Sequence, residues 1–201
     1  DDGCTTVHQM LQAGLLPAAA EIMDRFCLEA VAKHRKTEHD PAIGCCIIVE
    51  IDGEDDAALE AQAKKMEAVA RQCGVYQFRV AQSQQESDEL WAIRRGLSSA
   101  IASLVPNRLG EDISVPRDAF PEVVRRISAI AEKHKLTIAV YGHAGDGNMH
   151  PSVLCDLSKP GEEERVHRAV EELFDAPLAV GGTLSGEHGI GLTTRPYIAK
   201  A

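Results

Sequence analysis

Leu136-Thr137-Ile138-Ala139-Val140-Tyr141-Gly142-His143-Ala144-Gly145-Asp146-Gly147-Asn148-Met149-His150 is the stretch that decides the fold. Leu136 to Tyr141 is an apolar run rich in strand formers, and Met149 to Leu154 is another. Such runs, bounded by turn residues, predict strands. The glycines and the Asp146-Gly147 pair between them mark a tight reversal, so the two strands pair antiparallel. His143 then ends one strand and His150 begins the next. Two imidazoles across such a turn can face one another, a geometry that suits a first-row metal.

Similar cycles extend on both sides. Residues 17 to 36 carry Ala20, Met23, Phe26, Cys27, Ala30 and Val31 at helical spacing, with Pro17 in the first turn. Ile43 to Ile51 predicts a strand buried on both faces. Asp55 to Cys73 predicts a helix closed by Gly74, and Val75 to Val80 a second strand. Ser87 is the expected cap of a helix reaching Leu104, where Pro106-Asn107 breaks the chain. Asp112 to Val115 predicts a short strand, Asp118 caps the next helix, and Glu162 to Val180 is the last long helix. The strand–helix–strand cycle thus appears twice. It predicts an α+β fold of duplicated ferredoxin-like units, with a mainly antiparallel sheet and helices packed on one side. No linker divides the cycles, so residues 1–201 are expected to form one domain.

Composition excludes several classes. The 201 residues hold 21 basic and 31 acidic side chains, a net charge of −10, which disfavours a nucleic-acid partner. Aromatics at 4% leave no base-stacking platform. No uninterrupted apolar stretch is long enough to span a membrane. The six cysteines, Cys4, Cys27, Cys45, Cys46, Cys73 and Cys155, show no CxxC spacing. Buried free thiols in a reducing cytoplasm are the expectation, with peripheral attachment to the inner membrane face as a further one. Cys45 and Cys46 should point to opposite faces of their strand.

A second glycine-rich segment, Gly181-Gly182-Thr183-Leu184-Ser185-Gly186-Glu187-His188-Gly189-Ile190-Gly191, follows the last helix. Its glycines let backbone approach a ligand closely. Glu187 could complete a His-His-Glu set with His143 and His150, with a position left open for substrate. His188 beside it could act as general base, because an unperturbed imidazole titrates at about 6.5. A plain glycine turn with incidental histidines, and a solvated Glu-His pair, are the alternatives. Asp146 and Asn148 could be turn formers, supporting partners or substrate contacts.

GHAGDGNMHPSV and SGEHGIG together resemble the paired motifs of the C-terminal cap domain of FAD-linked oxidases and dehydrogenases acting on D-2-hydroxy acids. Glycolate oxidase FAD-binding subunits, D-lactate dehydrogenases and D-2-hydroxyglutarate dehydrogenase belong to this vanillyl-alcohol-oxidase type. Pro17 to Asp24 is similar to the family's opening helix, Glu50 to Gly53 to its first strand end, Leu90 to Arg94 to its LWxxR helix, and Asp112 to Pro116 to its central strand.

The resemblance implies oxidation of a D-2-hydroxy acid to the 2-oxo acid, with hydride transfer to FAD and metal assistance. It implies that His143, His150 and Glu187 bind zinc or a similar divalent ion. His188 would take the hydroxyl proton. Arg94 would clamp the substrate carboxylate, with Arg95 as fallback. Asn148 would lie near substrate and flavin, and Glu187 would also border the cofactor. Near Gly110-Glu111 some members are basic and this chain is not, which favours a monocarboxylate. The family's FAD-binding N-terminal domain and its tail are absent from this stretch. A chain without them is expected to hold FAD weakly and to turn nothing over. Its implied partners are a small 2-hydroxy acid, that FAD-binding domain, and other oxidase subunits or an electron acceptor. A metal-dependent hydrolase using the same triad, and a non-catalytic interaction module of a multi-subunit oxidase, are the competing readings.

Overall fold

The computed structural model describes residues 2–201. In chain order the elements are α1 (Asp2–Gln12), β1 (Ala19–Asp24), α2 (Arg25–Arg35), β2 (Cys45–Glu50), α3 (Asp56–Gln72), α4 (Gln84–Ala102), β3 (Asn107–Gly110), β4 (Ile113–Ser114), α5 (Phe120–His134), β5 (Thr137–His143), β6 (Asn148–Cys155) and α6 (Glu162–Leu178). A short 3₁₀ helix, Arg195–Lys200, follows. The strands form one sheet of order β2-β1-β5-β6-β3, and β4 also pairs with β6. Every strand pair in it is antiparallel. The hairpin forms as read, with Tyr141 opposite His150 and His143 opposite Asn148. The cycles merge into a single sheet through β1, where Glu21 lies opposite His143 and Met23 opposite Tyr141.

Alternation along the strands gives the sheet two apolar faces. Ile22, Ile138, Val140 and Val153 join a core with Val7 of α1, Ile127 of α5 and Phe174 of α6. Met23, Ala139, Tyr141 and Leu154 join a second core with Cys27 and Ala30 of α2 and with Leu97 and Ile101 of α4. The mixed antiparallel class is as expected. The helices, expected on one side, cover both, because β1 and β5 carry apolar residues at odd and even positions alike. Met66 and Ala70 of α3 pack with Met10 of α1 in a smaller cluster beside β2.

Other local expectations are corrected. Residues 17 to 36 are not one helix. The first part is strand β1, and α2 starts only after Asp24, whose carboxylate accepts the Cys27 N–H at 2.8 Å. The resemblance of Pro17–Asp24 to an opening helix falls with it. Strand β2 is an edge strand, half-buried at most positions rather than buried on both faces. Val75 to Val80 joins no ladder, and Tyr76 and Val80 are exposed. Helix α4 is capped by Ser83, not Ser87: its side chain accepts the Glu86 N–H at 3.2 Å. Asp118 does not cap α5, whose cap position is Ala119 without a side-chain bond. Helix α1 and strand β3 went unread. Cys46 packs into the α2/α4 core while the Cys45 thiol lies against Gly3 of α1, so the pair does face opposite ways. All six cysteines are free. No helix among the described residues is long and apolar enough to cross a membrane.

Candidate functional site

The ladder places one set of side chains at the open end of the α2/α4 face. Positions 141 and 143 of β5, 148 and 150 of β6, and 21 of β1 share that face by register. The rings of His143 and His150 meet edge to face, with centroids 5.4 Å apart. Gly142 makes the close approach of β5 to β6 possible: a Cβ there would lie 2.5 Å from the Asn148 carbonyl oxygen.

The Ser185–Gly189 loop closes over this face. Glu187 Oε1 lies 3.6 Å from His143 Nε2, 3.4 Å from His150 Nε2 and 3.4 Å from His188 Nε2. Donor atoms of His143, His150 and Glu187 all fall within 4.8 Å of one another, as do those of Asp112, His150 and His188. Ligand atoms held about 2.1 Å from a common tetrahedral centre sit about 3.4 Å apart. The separations of Glu187 from His143 and from His150 match that value, and two imidazoles with one carboxylate are a donor set that zinc accepts. Burial pushes the His150 pKa down, against the pull of Asp112, and so favours the neutral ring a metal requires. His188 stacks on His150 with centroids 5.1 Å apart and is well exposed.

One buried carboxylate shapes the loop. Asp112 Oδ2 accepts the N–H groups of Gly186, Glu187 and His188 at 2.9, 2.9 and 2.7 Å, and the Ser185 hydroxyl at 2.9 Å. Successive N–H groups around one anion form a backbone nest. Burial opposes the charge on Asp112, yet the His188 and Glu187 N–H groups, the Ser185 hydroxyl and the Asn148 amide together hold its pKa down at about 2. Gly186 is obligatory here, since a Cβ would sit 1.9 Å from Asn148 Nδ2.

Arg94 reaches the site from α4. Its Nε donates to Glu21 Oε2 at 2.6 Å, its guanidinium lies 5.1 Å above the Tyr141 ring, and Glu21 Oε1 meets His143 Nδ1. Arg108 donates to the Tyr141 hydroxyl at 2.7 Å from the β3 side. Arg95 points outward, bonded to the Asp88 carbonyl. Asn148 lies beneath the loop, donating to Asp112 Oδ1 at 3.1 Å, and its own Oδ1 is buried without a partner. Asp146 acts as a turn former, accepting the Asn148 N–H.

The structure therefore brings His143, His150, Glu187 and His188 together, with Asn148 beneath them and Arg94 one carboxylate away. Sequence reading missed Glu21, Asp112, Ser185, Tyr141 and Arg108. Glu21 carried a signal, the one charge in the apolar run Ala18 to Met23. Asp112 carried none, because the N–H groups it accepts lie 74 to 76 positions away.

The family described as FAD linked oxidases, C-terminal domain, matches residues 1–201. The glycolate oxidase subunit GlcD of Bacillus subtilis (strain 168) is 33% identical over 198 residues, covering 98% of this chain and 42% of that protein. A mitochondrial D-lactate dehydrogenase [cytochrome] 1 of Saccharomyces cerevisiae (strain ATCC 204508 / S288c) is 26% identical over 208 residues, covering 99% of this chain and 35% of its own length. The chain thus spans about two fifths of the curated relatives it matches. Among solved structures, a 4-ethylphenol oxidase from Gulosibacter chungangensis superposes with a TM-score of 0.55 at 18% identity, over 90% of this chain and 42% of that one. An alkyldihydroxyacetonephosphate synthase gives 0.57 at 10% identity, over 98% and 39%. Both likenesses are of fold.

Proposed function

The chain belongs to the family of FAD-linked oxidase C-terminal domains, and from that premise we propose that it is the substrate-binding cap of a flavoenzyme that oxidises a D-2-hydroxy acid to the 2-oxo acid. The observation that carries the reading is the convergence of His143, His150 and Glu187 at ligand spacing beside an exposed His188. His143, His150 and Glu187 would hold a divalent ion such as zinc, which supplies polarisation of the substrate hydroxyl and lowers its pKa. FAD, bound mainly by another domain, supplies the acceptor for the α-hydrogen and its electron pair.

The remaining work falls to this chain's side chains. His188 Nε2 takes the hydroxyl proton as the C–H electron pair leaves, so one hydride and one proton depart for each carbonyl formed. Its exposure, 65% of the side chain, keeps it open to substrate and lets it return the proton to water. Arg94 offers its outer guanidinium nitrogens to the substrate carboxylate, while Nε stays on Glu21. Asn148, beneath the loop, donates to Asp112 Oδ1 and so supports the wall that substrate and flavin would meet. The exposed Glu187 and His188 edge is the side that would meet the flavin. A hydrolase or a purely structural module accounts less well for this arrangement in a family of oxidases.

The test is anaerobic mixing of the full flavoprotein with D-lactate or glycolate. Loss of oxidised-flavin absorbance with the D acid but not with L-lactate is expected, and removal of metal with a chelator should slow it at least about 100-fold. Unaltered bleaching after chelation would remove the metal from the proposal. No bleaching by any 2-hydroxy acid would remove the reaction itself.

A further inference from the structure

We infer that Glu21 is a positioning residue, whose one carboxylate sets the tautomer of His143 and fixes Arg94. The inference rests on the reading of His143 as a metal ligand. Glu21 stands in the middle of β1, directly opposite His143, and its side chain is only 6% exposed. A buried carboxylate needs partners. It has two, and they belong to different parts of the site. Oε1 meets His143 Nδ1, and Oε2 accepts Arg94 Nε at 2.6 Å.

The consequence for His143 follows from the ring. An ionised carboxylate only accepts hydrogen bonds, so a neutral His143 paired with it must carry its proton on Nδ1. The nitrogen facing Glu187 is the other one, Nε2. Glu21 thereby leaves a bare lone pair on the atom that points into the donor set. Glu21 cannot itself join that set, because it lies on the Nδ1 side of the ring. Carboxylate partners of this kind fix the orientation of metal-binding histidines and raise their basicity. His150 offers the contrast: its Nδ1 is buried without a hydrogen-bond partner, and Asp112 Oδ1 stands off at 3.7 Å. The two ligand histidines are therefore oriented differently, His143 by a carboxylate and His150 by packing against Tyr141 and His188.

The other oxygen ties Arg94 to the same group. Arg94 compensates the buried charge, and its Nε cannot swing to a ligand while Oε2 holds it. Substrate contact is left to the outer nitrogens, so one residue sets both the anion-binding group and a ligand of the metal set.

The first measurement needs no variant. In the full protein, ¹⁵N-histidine labelling without metal should show His143, identified by the signal missing in His143→Asn, with the proton on Nδ1. A proton on Nε2 overturns the inference. In Glu21→Leu the Nδ1–H signature should weaken in favour of Nε2–H, and persistence of the wild-type pattern in folded protein also overturns it. Cobalt(II) titration followed by its visible absorption should show affinity lowered about 10–100-fold in Glu21→Gln, with an altered band shape. Equal affinity and an unchanged band would count against Glu21. If wild-type protein takes up no cobalt, the metal-centre reading fails, and the histidine tautomer alone decides the role of Glu21.

Discussion

Two halves of the candidate site are built by different means. His143, His150 and Glu21 sit on neighbouring strands, and each position is set by a hydrogen-bonded ladder shared with many other residues. Glu187 and His188 sit on a loop that gathers three successive N–H groups on one side chain, Asp112, and that leaves no room for a side chain at Gly186. The sheet half is buried or partly so, whereas the Glu187 and His188 side chains are half exposed or more. Ligands on regular elements are held more precisely than ligands on loops. Here the loop borrows that precision, because Asp112 lies immediately before β4 and transmits the sheet's position to three consecutive N–H groups.

The largest expected effect separates the halves directly. His150→Ala removes a ligand and empties a packed position between Tyr141 and His188. Metal affinity should fall on the order of 10³-fold, about 4 kcal/mol, and the melting temperature should fall as well. Glu187→Ala should lower metal affinity comparably but leave the melting temperature of metal-free protein within about 2 °C, because an exposed side chain contributes little to folding. Calorimetric melting beside zinc titration reads both quantities. Equal destabilisation by the two substitutions would break the contrast.

A smaller effect tests the connection between the halves. Asp112→Ala leaves the Gly186, Glu187 and His188 N–H groups without their acceptor. The loop can lift into water, so the loss of stability should stay near 2 kcal/mol, roughly 4–8 °C in melting temperature for a chain of this size. Metal affinity should drop about 10–100-fold although no ligand has been touched. Gly186→Ala should reproduce the affinity loss, because its Cβ would overlap Asn148 Nδ2 and hold the loop off. Intact affinity in both variants would mean that the loop finds its place without Asp112.

Legibility in the sequence cuts across that division. The β5–β6 hairpin was readable because both strands are apolar runs flanking an unmistakable turn, and His143 and His150 came with it. Strand β1 was misread, since Ala20, Met23, Phe26 and Cys27 mimic helical spacing where a strand runs directly into a helix at Asp24. That error hid Glu21, whose meaning appears only once residues 21 and 143 are seen as neighbours across the sheet. Glu187 and His188 were legible from residue type and adjacency. Asp112 was not, because a carboxylate that caps a loop about 75 positions away leaves no local pattern. Local chemistry is written locally, whereas the partners that aim it come from long-range register.

The smallest expected effects come from the pH response of two adjacent carboxylates that the fold treats in opposite ways. Glu111 and Asp112 are both largely buried. Burial alone raises the Glu111 pKa from 4.5 to about 7, whereas the donors around Asp112 overcome burial and hold it at about 2 against an ordinary 3.8. For Glu111 the folded pKa is the higher one. Its contribution to stability is complete below about pH 4.5 and is lost as the pH rises through about 7. Glu111→Gln has no such loss, so relative to wild type it should gain about 2 kcal/mol between pH 5 and pH 8. For Asp112 the folded pKa is the lower one. Its contribution is complete above about pH 4 and is lost as the pH falls towards 2. Asp112→Asn should therefore flatten the acid limb of the stability curve by about 1–2 kcal/mol and leave the slope between pH 5 and pH 8 unchanged. Urea melts across the whole range would show the two variants diverging from wild type in separate windows. A shared window would mean that the nest around Asp112 does not hold its charge, and the loop half of the site would lose the anchor that matches it to the sheet half.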